Sequence, residues 1–456
     1  MSMDVGKPKE NSTSKLYTLV SYLIVIFTLF IAIWRILLWE IINPFLYANI
    51  HRVIDLFGLH AMNIEIGWTQ IVWAISYFVA IAVLIMLGIK NKQIRQKKFW
   101  LLSIPLLAIL VISLSSQFWS LIPPSTLKRA WFLFAVTLGG IFIGLEFRRS
   151  RIILIFEILA IVSVVLSYVF VVIYPMQGIM TFDTPGAWRG LFNYKSFSGV
   201  MIAFASLMFL FRLANFKNEK WSVRVYSFLF LLISLYFLYR TKNATALGSF
   251  TLSAGVLALG LLFIKWGQRL KPIHWWIIGV VSIVVLILSW VGKDALFDLL
   301  GRSASLTGRV PLWMALIPFI KLRLWFGFGF GEVFWFSEYL EVFWKIAPWK
   351  AALAHSGFIE TILGTGIVGF LFWFSFLVEV AILSLRYFFL QRNLYSLIFL
   401  IWFVHVILIN ITENLLGTFE IFNWLLLVVS FAYILREQLD GKLSSTISAT
   451  VPSPLG

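Results

Sequence analysis

Four short polar stretches of this hydrophobic chain each carry a cation or a histidine. In chain order they read GAWRGLFNYKSFSG (186–199), LYRTKNATA (238–246), SLTGRVPLW (305–313) and AHSGFIE (354–360). The planar fork of an arginine binds two phosphate oxygens at once, and several cations on one face suit a large anion. A histidine titrates near neutrality and can take a proton from a hydroxyl. The set therefore predicts a site that holds a phosphate-bearing anion and moves a proton.

Each stretch also has a purely structural interpretation. Arginines and lysines at helix ends commonly reach lipid headgroups. A helix running from Arg309 toward Leu324 would lie at the membrane surface with its arginine on a lipid phosphate. A lone histidine such as His355 is more often a hydrogen-bonded structural residue than a base, and the tryptophans of EVFWFSEYLEVFWKIAPW (332–349) fit an interfacial belt. The functional interpretation is favoured only by the combination of stretches.

The elements that must position these residues are membrane helices. Of the 456 residues, 61% are hydrophobic and 12% charged, and the mean hydropathy is +0.94. Apolar stretches of about 20 residues, each long enough to cross a hydrocarbon core, recur along the chain. The predicted fold is therefore all-α and polytopic, with about twelve transmembrane helices and a large loop containing short helices. The expected spans lie near 16–38, 69–89, 99–115, 130–147, 152–174, 198–214, 224–240, 244–264, 275–291, 357–385, 394–411 and 420–435.

The distribution of cations orients these spans. The loops 90–98, 147–151, 212–224, 265–271 and 386–392, together with the two termini, carry 22 of the 37 lysines and arginines. Short loops rich in positive charge remain in the cytoplasm. Membrane orientation therefore accounts for the net charge of +17 without a nucleic acid partner.

The same rule divides the chain into segments. Residues 1–15 are predicted as a cytoplasmic N-terminal tail, 16–435 as the transmembrane domain, and 436–456 as a disordered cytoplasmic tail. Residues 292–356 are predicted to form the large extracytoplasmic loop. The alternation of spans also predicts that the four polar stretches face away from the cytoplasm.

The sequence lacks the motifs of several other chemistries. With no cysteine, the chain has no disulfides, thiolate metal sites or cysteine nucleophiles. RGLFNYKS (189–196) lacks the glycine that precedes the lysine of a phosphate-binding loop, and GFGFGE (327–332) is not flanked by a strand–turn–helix unit. The five histidines do not form a spaced metal-binding set: they are His51, His60, His274, His355 and His405. No metal and no cofactor is predicted.

The stretch 302–370 resembles the bacterial O-antigen ligase and O-antigen polymerase superfamily, which includes exopolysaccharide polymerases. The family pattern is an Arg, then T-G-R, an aromatic residue, a short G-x-G-x-G run, and H-[NS] before a glycine-containing helix. This chain supplies them in the same order and at similar spacing: Arg302, Thr307-Gly308-Arg309, Trp313, Gly327-Phe328-Gly329-Phe330-Gly331, His355-Ser356 and LGTGIVG (363–369).

Three further segments are similar to family patterns. SSQFWSLIPPSTLKRA (115–130) resembles an S-x-x-W-S-x-x-P segment that follows an early span. RGLFNYKSFSG resembles an R-G-x-F-x-[HN]-K-N stretch of exopolysaccharide polymerases, from which Tyr194 and Ser196 depart. TKNATA (241–246) resembles an S-R-[GT]-A turn, with Lys242 in place of arginine and Arg240 two residues away.

The resemblance implies a membrane glycosyltransferase of the GT-C-like kind, metal-independent and inverting, in the bacterial inner membrane. Its donor would be a glycan on undecaprenyl diphosphate, and its acceptor another lipid-linked glycan or a lipid A-core. A chain-length regulator and a flippase are possible protein partners. Because the energy is stored in the glycosyl-diphosphate bond, no ATP motif is needed, and protein cations must stabilise the departing diphosphate.

The resemblance and the residue chemistry together assign roles to individual side chains. His355 is the expected catalytic base and Arg309 the expected stabiliser of the leaving group. The cations expected at the diphosphate are Arg189, Lys195, Arg240, Lys242, Arg302 and Arg309. The rings expected to stack on sugars are Trp313, Trp335 and Trp344, with the interfacial belt as the alternative. The alternative bases are Glu332, Glu338 and Glu341.

Three functions are compatible with these residues. A polymerase joining lipid-linked repeat units is favoured by RGLFNYKS, and a ligase that moves finished glycan to lipid A-core shares its chemistry. A transporter or flippase would bury ionisable groups near the membrane midplane. The main intramembrane carboxylates, Glu157 and Glu379, are instead expected close to the cytoplasmic end of their spans.

Overall fold

The structure, a computed structural model, describes residues 12–33, 68–181, 183–267, 309–413 and 422–441. Over these ranges the chain is almost entirely helical and contains no β-strand. The α-helices are α1 Ser12–Ile33, α2 Trp68–Lys90, α3 Lys97–Leu102, α4 Ile104–Ser115, α5 Pro123–Glu146, α6 Arg149–Ile173, α7 Pro175–Gly178, α8 Lys195–Ala214, α9 Trp221–Arg240, α10 Ala244–Trp266, α11 Arg309–Leu322, α12 Tyr339–Ile346, α13 Gly357–Gln391, α14 Leu394–Thr412 and α15 Phe422–Leu439.

The predicted polytopic helical class is confirmed. Within the described ranges, seven helices are long and apolar enough to cross a membrane: α5, α6, α8, α9, α10, α13 and α14. Shorter apolar helices cover 16–32, 74–88 and 104–118. The number of about twelve spans stays a prediction, and the expected span 275–291 lies outside the described residues.

Two predicted spans differ from the helices in detail. The span expected at 99–115 is divided at Ser103 into α3 and α4, and Pro105 occupies the first turn of α4, where its missing N–H costs nothing. The helix expected at 130–147 already begins at Pro123, because proline is also tolerated in the first turn of this helix.

Small residues let α5 pack tightly on the buried helix α15. Side chains from Phe422 to Arg436 of α15 are buried throughout. A Cβ added at Gly144 would lie 2.8 Å from the backbone nitrogen of Tyr433, and one at Gly140 would lie 2.9 Å from Cγ1 of Val428. Close backbone approach of this kind is how helices associate where lipid is as apolar as the side chains.

Residues of the predicted large loop, together with Leu363 of α13, form a second, smaller hydrophobic core, which we call the loop core. Aromatic rings dominate it, and many meet edge to face, as Trp335 and Phe343 do with ring centroids 5.4 Å apart. Its buried members are Leu312, Leu316, Phe319, Phe328, Phe334, Trp335, Phe343, Ala351, Ala354 and Leu363. The described part of the loop is therefore a folded unit that ends beside the start of α13.

The two glycine-rich segments of the chain pair with each other through their backbones. The Phe328 N–H donates to the Leu363 carbonyl at 2.8 Å, and the Gly329 N–H donates to the Gly364 carbonyl at 2.9 Å. Gly366 interrupts α13 with φ 66° and ψ −171°. A Cβ at Gly327 would lie 2.6 Å from the Gly364 carbonyl carbon, so this approach requires glycine. The pairing fixes the loop core on α13.

Candidate functional site

Glu413 lies between Arg309 and His355 and contacts both. The Nη2 group of Arg309 donates to Oε1 of Glu413 at 3.2 Å, while Nδ1 of His355 lies 4.0 Å from Oε2. The exposed fraction of the side chain is 8% for Glu413, 16% for Arg309 and 29% for His355. The carboxylate is therefore covered, while the histidine remains accessible to a ligand. The structure thus brings together the two side chains predicted as catalytic.

Arg309 is held by the ends of two other helices. It is the first residue of α11, and its Nη1 group donates to Oγ1 of Thr245, in the first turn of α10, at 3.4 Å. The hydroxyls of Thr245 and Thr412 are 2.8 Å apart, and Thr412 is the last residue of α14. Glu413 follows directly, so the end of α14 supplies the acid that pairs with the arginine.

Four helices begin around this carboxylate: α8, α10, α11 and α13. Ser196 of α8 donates through Oγ to Oε1 of Glu413 at 3.3 Å, and the backbone N–H of Gly357 donates to the Glu413 carbonyl at 3.0 Å. Asn243 caps α10 by accepting from the Ala246 N–H, and its Nδ2 donates to the Ser196 carbonyl. Helix N-termini carry partial positive charge and unpaired N–H groups. Their convergence favours negative charge at this point, beyond that of Glu413 itself.

Two predicted phosphate-binding lysines reach the same turn of the 179–194 segment. Nζ of Lys195 donates to Oγ1 of Thr184 at 2.7 Å, and Nζ of Lys242 donates to the Pro185 carbonyl at 3.0 Å. Lys195 is the first residue of α8, next to Ser196, and Lys242 is exposed in the turn before α10. The contacts through Ser196 and Asn243 connect this lysine pair to Glu413.

The predicted arginines Arg189 and Arg240 hold the 179–194 segment itself. Arg189 donates through Nε to the Gln177 carbonyl and through Nη1 to the Asn193 carbonyl. The guanidinium of Arg240 lies 4.5 Å from the ring centroid of Trp188, and the backbone N–H of Trp188 donates to the Arg240 carbonyl at 2.9 Å. Both arginines are half-buried as residues, and these contacts explain their positions without a ligand.

Tyr194, where the chain departs from the family pattern, adds a neutral donor at the edge of the site. Its hydroxyl donates to Oδ2 of Asp183 at 3.5 Å. Burial, followed by the negative charges of Asp183 and Glu413, raises the pKa of Tyr194. The phenol therefore keeps its proton at neutral pH.

His355 occupies a left-handed backbone conformation, with φ 49°. This region is sparsely populated by residues other than glycine, although histidine tolerates it better than most. The residue before it is held at both of its backbone polar groups, since the Ala354 carbonyl accepts from Nε1 of Trp313 at 2.9 Å and the Ala354 N–H donates to Oε2 of Glu360 at 3.3 Å.

The three tryptophans expected to stack on sugars all donate to the segment 351–360. Trp313 bonds the Ala354 carbonyl, Trp344 bonds the Ala351 carbonyl at 2.7 Å, and Trp335 bonds both oxygens of Glu360 at 2.8 and 3.0 Å. Trp335 is only 3% exposed, so protein covers its ring faces and the stacking interpretation does not fit its position. Trp313 and Trp344 are half-buried and retain some ring surface.

The carboxylate beside His355 is Glu413 rather than any of the three considered as alternative bases. Glu332 is 3% exposed and directly precedes the short helical turn Val333–Phe336, while Glu338 and Glu341 are exposed at the start of α12. Glu413 was not predicted from the sequence, because it follows an apolar helix and is not part of a recognisable motif. The available signal was an acid at the end of α14, in INITE, on the predicted extracytoplasmic side.

Some predictions concern residues that the structure does not describe. Arg302 lies outside the described residues, as do Thr307 and Gly308. Across the described ranges, no three His, Asp or Glu side chains are grouped so that they could hold a metal ion. The predicted residues that do meet at one end of the bundle are Lys195, Lys242, Arg309 and His355, and Ser196, Thr245 and Glu413 join them.

A family model described as O-Antigen ligase matches residues 229–374, which contain Arg240, Lys242, Arg309 and His355. A comparison with curated proteins found no match to the chain.

Proposed function

Since residues 229–374 place the chain in the O-antigen ligase and O-antigen polymerase superfamily of membrane enzymes, we propose that it is a glycosyltransferase that polymerises lipid-linked repeat units. The donor would be an oligosaccharide on undecaprenyl diphosphate, and the acceptor a hydroxyl of a second lipid-linked glycan. The product would be O-antigen, capsule or exopolysaccharide. The enzyme would lie in the bacterial cytoplasmic membrane with both termini cytoplasmic and its site on the outer side.

The observation that carries this proposal is the meeting of Arg309, His355 and Glu413 where four helices begin. His355 is exposed enough to reach a substrate hydroxyl, and Glu413 lies 4.0 Å from its Nδ1. A carboxylate in that place orients the imidazole and stabilises the positive charge that it gains on taking a proton. Arg309 and the helix N-termini favour negative charge a few ångströms away.

The proposed reaction is a single displacement that inverts the anomeric centre. The acceptor oxygen attacks the anomeric carbon of the donor while the bond from that carbon to the diphosphate oxygen breaks. The acceptor proton passes to Nε2 of His355, and the electron pair of the broken bond stays on undecaprenyl diphosphate. Arg309, Lys195 and Lys242 stabilise the charge of this leaving group, because in a site at the membrane mouth such contacts are stronger than in water.

Arg189 and Arg240 have a supporting role in this proposal. Their guanidinium groups hold the 179–194 segment through backbone carbonyls and the Trp188 ring. They keep the turn at Thr184 and Pro185 in reach of the two lysines. Trp313 and Trp344 have exposed ring surface that an extending glycan could contact.

The second candidate is a ligase that transfers finished polymer to lipid A-core. The description of the matching family model, O-Antigen ligase, favours it. The first candidate is supported by RGLFNYKS, in which Lys195 and Ser196 line the site.

A transfer assay on the purified protein in nanodiscs separates the candidates. The protein receives its cognate lipid-linked repeat unit with or without lipid A-core, and products are resolved on gels beside an Arg309→Ala control. A ladder formed from repeat units alone supports the polymerase, and a product formed only with core supports the ligase. Absence of any glycosidic product from folded protein and verified substrates would contradict both, and movement of intact lipid-linked glycan into vesicles would support transport instead.

A further inference from the structure

The short segment that carries His355 is fixed at three backbone positions. The Ala354 carbonyl accepts from Trp313, the Ala354 N–H donates to Glu360, and the Gly357 N–H donates to the Glu413 carbonyl. Ala354 is completely buried, whereas the side chain of His355 is 29% exposed. The histidine therefore follows a buried residue whose backbone carbonyl and N–H are both hydrogen-bonded, and its side chain reaches the open part of the site.

Glu360 is itself held in place by the loop core. It is 1% exposed, and both of its oxygens accept from Nε1 of Trp335. A buried carboxylate is costly unless it is hydrogen-bonded or paired. Packing alone does not explain such a group, but a fixed acceptor for the Ala354 N–H does.

Trp313 connects this segment to Arg309. Both residues belong to α11, one turn apart, so the same helix places the arginine on Glu413 and the indole N–H on the Ala354 carbonyl. We propose that Trp313 and Glu360 are positioning residues that hold the backbone of Ala354 at its carbonyl and at its N–H, and so fix the neighbouring His355 beside Glu413. This inference rests on the proposed function, in which His355 accepts the proton of the acceptor hydroxyl.

Two observations explain why His355 needs such support. Its backbone φ of 49° costs energy that the surroundings must offset. Its Nδ1 lies 4.0 Å from Glu413, so a small displacement of the backbone changes their alignment. A misplacement of about 1 Å in a catalytic group costs on the order of 10² in rate.

Trp313→Phe distinguishes positioning from sugar stacking. Phenylalanine keeps an aromatic face for a sugar but has no N–H for the Ala354 carbonyl. Positioning predicts that kcat falls about tenfold while the KM for the acceptor changes less than about twofold, as expected for the loss of one hydrogen bond that aligns a catalytic group. Stacking predicts unchanged kcat for Trp313→Phe and a raised KM for Trp313→Ala.

The matched control is Trp100→Phe. The Trp100 indole also donates to a backbone carbonyl, that of Ile94, at 2.8 Å, but on α3 rather than near the site. Glu360→Gln is the second variant, because the amide keeps the size of the side chain and loses one of the two acceptor oxygens. We expect a similar loss of kcat for Glu360→Gln and wild-type kinetics for Trp100→Phe.

Hydrogen–deuterium exchange of the same proteins in nanodiscs, without substrate, tests the positioning by Trp313 and Glu360 independently of activity. We expect faster exchange in peptides covering 351–358 for Trp313→Phe and Glu360→Gln, with unchanged exchange elsewhere and an unchanged melting temperature for Trp313→Phe. Exchange at wild-type rates in Trp313→Phe together with an unchanged kcat would overturn the inference. Exchange that rises throughout the protein would also overturn it, because that result means general destabilisation. If the wild-type protein transfers no sugar, the proposed function fails. The exchange result still shows whether Trp313 and Glu360 hold the backbone at Ala354.

Discussion

Arg309 and the arginine pair Arg189–Arg240 were predicted for the same role, but the structure uses them differently. Arg309 contacts the Glu413 carboxylate and the Thr245 hydroxyl, and the same carboxylate lies beside His355. Arg189 and Arg240 are occupied by backbone carbonyls and an aromatic ring. A cation in a family-like motif is therefore a candidate for a catalytic role when titratable groups surround it, as they do at Arg309. Residue type and motif alone do not make that distinction.

The largest effect is expected when His355, the proposed base near Arg309, is removed. His355→Asn deletes the proton acceptor while keeping a residue that tolerates positive φ. We expect kcat to fall by about 10²–10⁴, the usual contribution of general acid–base catalysis. The measurement is the initial rate of transfer in nanodiscs, with the melting temperature as the control for folding. Transfer within threefold or so of wild type would remove His355 from the mechanism.

Removal of the Arg309 charge comes next. For Arg309→Ala we expect a loss of about 10²–10³ in kcat, typical of one electrostatic contact to a developing charge. Arg309→Lys keeps the charge and loses the planar fork, so its rate should lie between those of the alanine variant and wild type. Equal rates for the lysine and alanine variants would show that the fork, rather than the charge, is what matters.

The matched substitutions Arg189→Lys and Arg240→Lys should have smaller effects. Each removes contacts that hold the 179–194 segment but leaves the charge in place. We expect transfer rates reduced by about tenfold or less, because the loss of one supporting hydrogen bond or cation–π contact is worth roughly 1 kcal/mol. The comparison fails if either variant is as slow as Arg309→Lys in the same assay.

The smallest effect is expected at Gly186, in the segment that Arg189 and Arg240 support. Gly186 has φ 77°, and the nearest atom to an added Cβ is Nζ of Lys242 at 3.8 Å. Gly186→Ala therefore adds backbone strain without a clash, and we expect a loss of about 1 kcal/mol in stability. Thermal unfolding in detergent measures the loss, and the transfer rate should stay within about threefold of wild type. A rate as low as that of Arg309→Ala would show that this turn takes part in chemistry.

Much of the architecture could be predicted from the sequence, because the hydrophobicity of a span and the glycine content of a segment are local properties of the chain. Spans such as 152–174 and 394–411 agree with α6 and α14 within a few residues. The paired glycine-rich segments could be recognised but not interpreted, because the partner of Gly327 lies at Gly364, in a different element. Their meeting depends on the tertiary fold of the loop core.

The candidate site was predictable only in part, for the same reason. Arg309 and His355 lie in motifs that carry recognisable residue types, and the structure brings them together. Glu413 is distant from both in sequence and has no motif of its own. The tryptophans were assigned from their type to sugar stacking or to an interfacial belt. Burial of Trp335 and the bonds of all three indole N–H groups depend instead on packing that the sequence does not display.

The most direct test of the central claim is a double-mutant cycle between His355 and Glu413. The transfer rates of His355→Asn, Glu413→Gln and the double variant would be measured against wild type with the cognate lipid-linked repeat unit. If the two residues act as one unit, each single variant is slower by on the order of 10² or more, and the double variant is about as slow as the slower single one. Losses that multiply, or a Glu413→Gln protein as fast as wild type, would contradict the account.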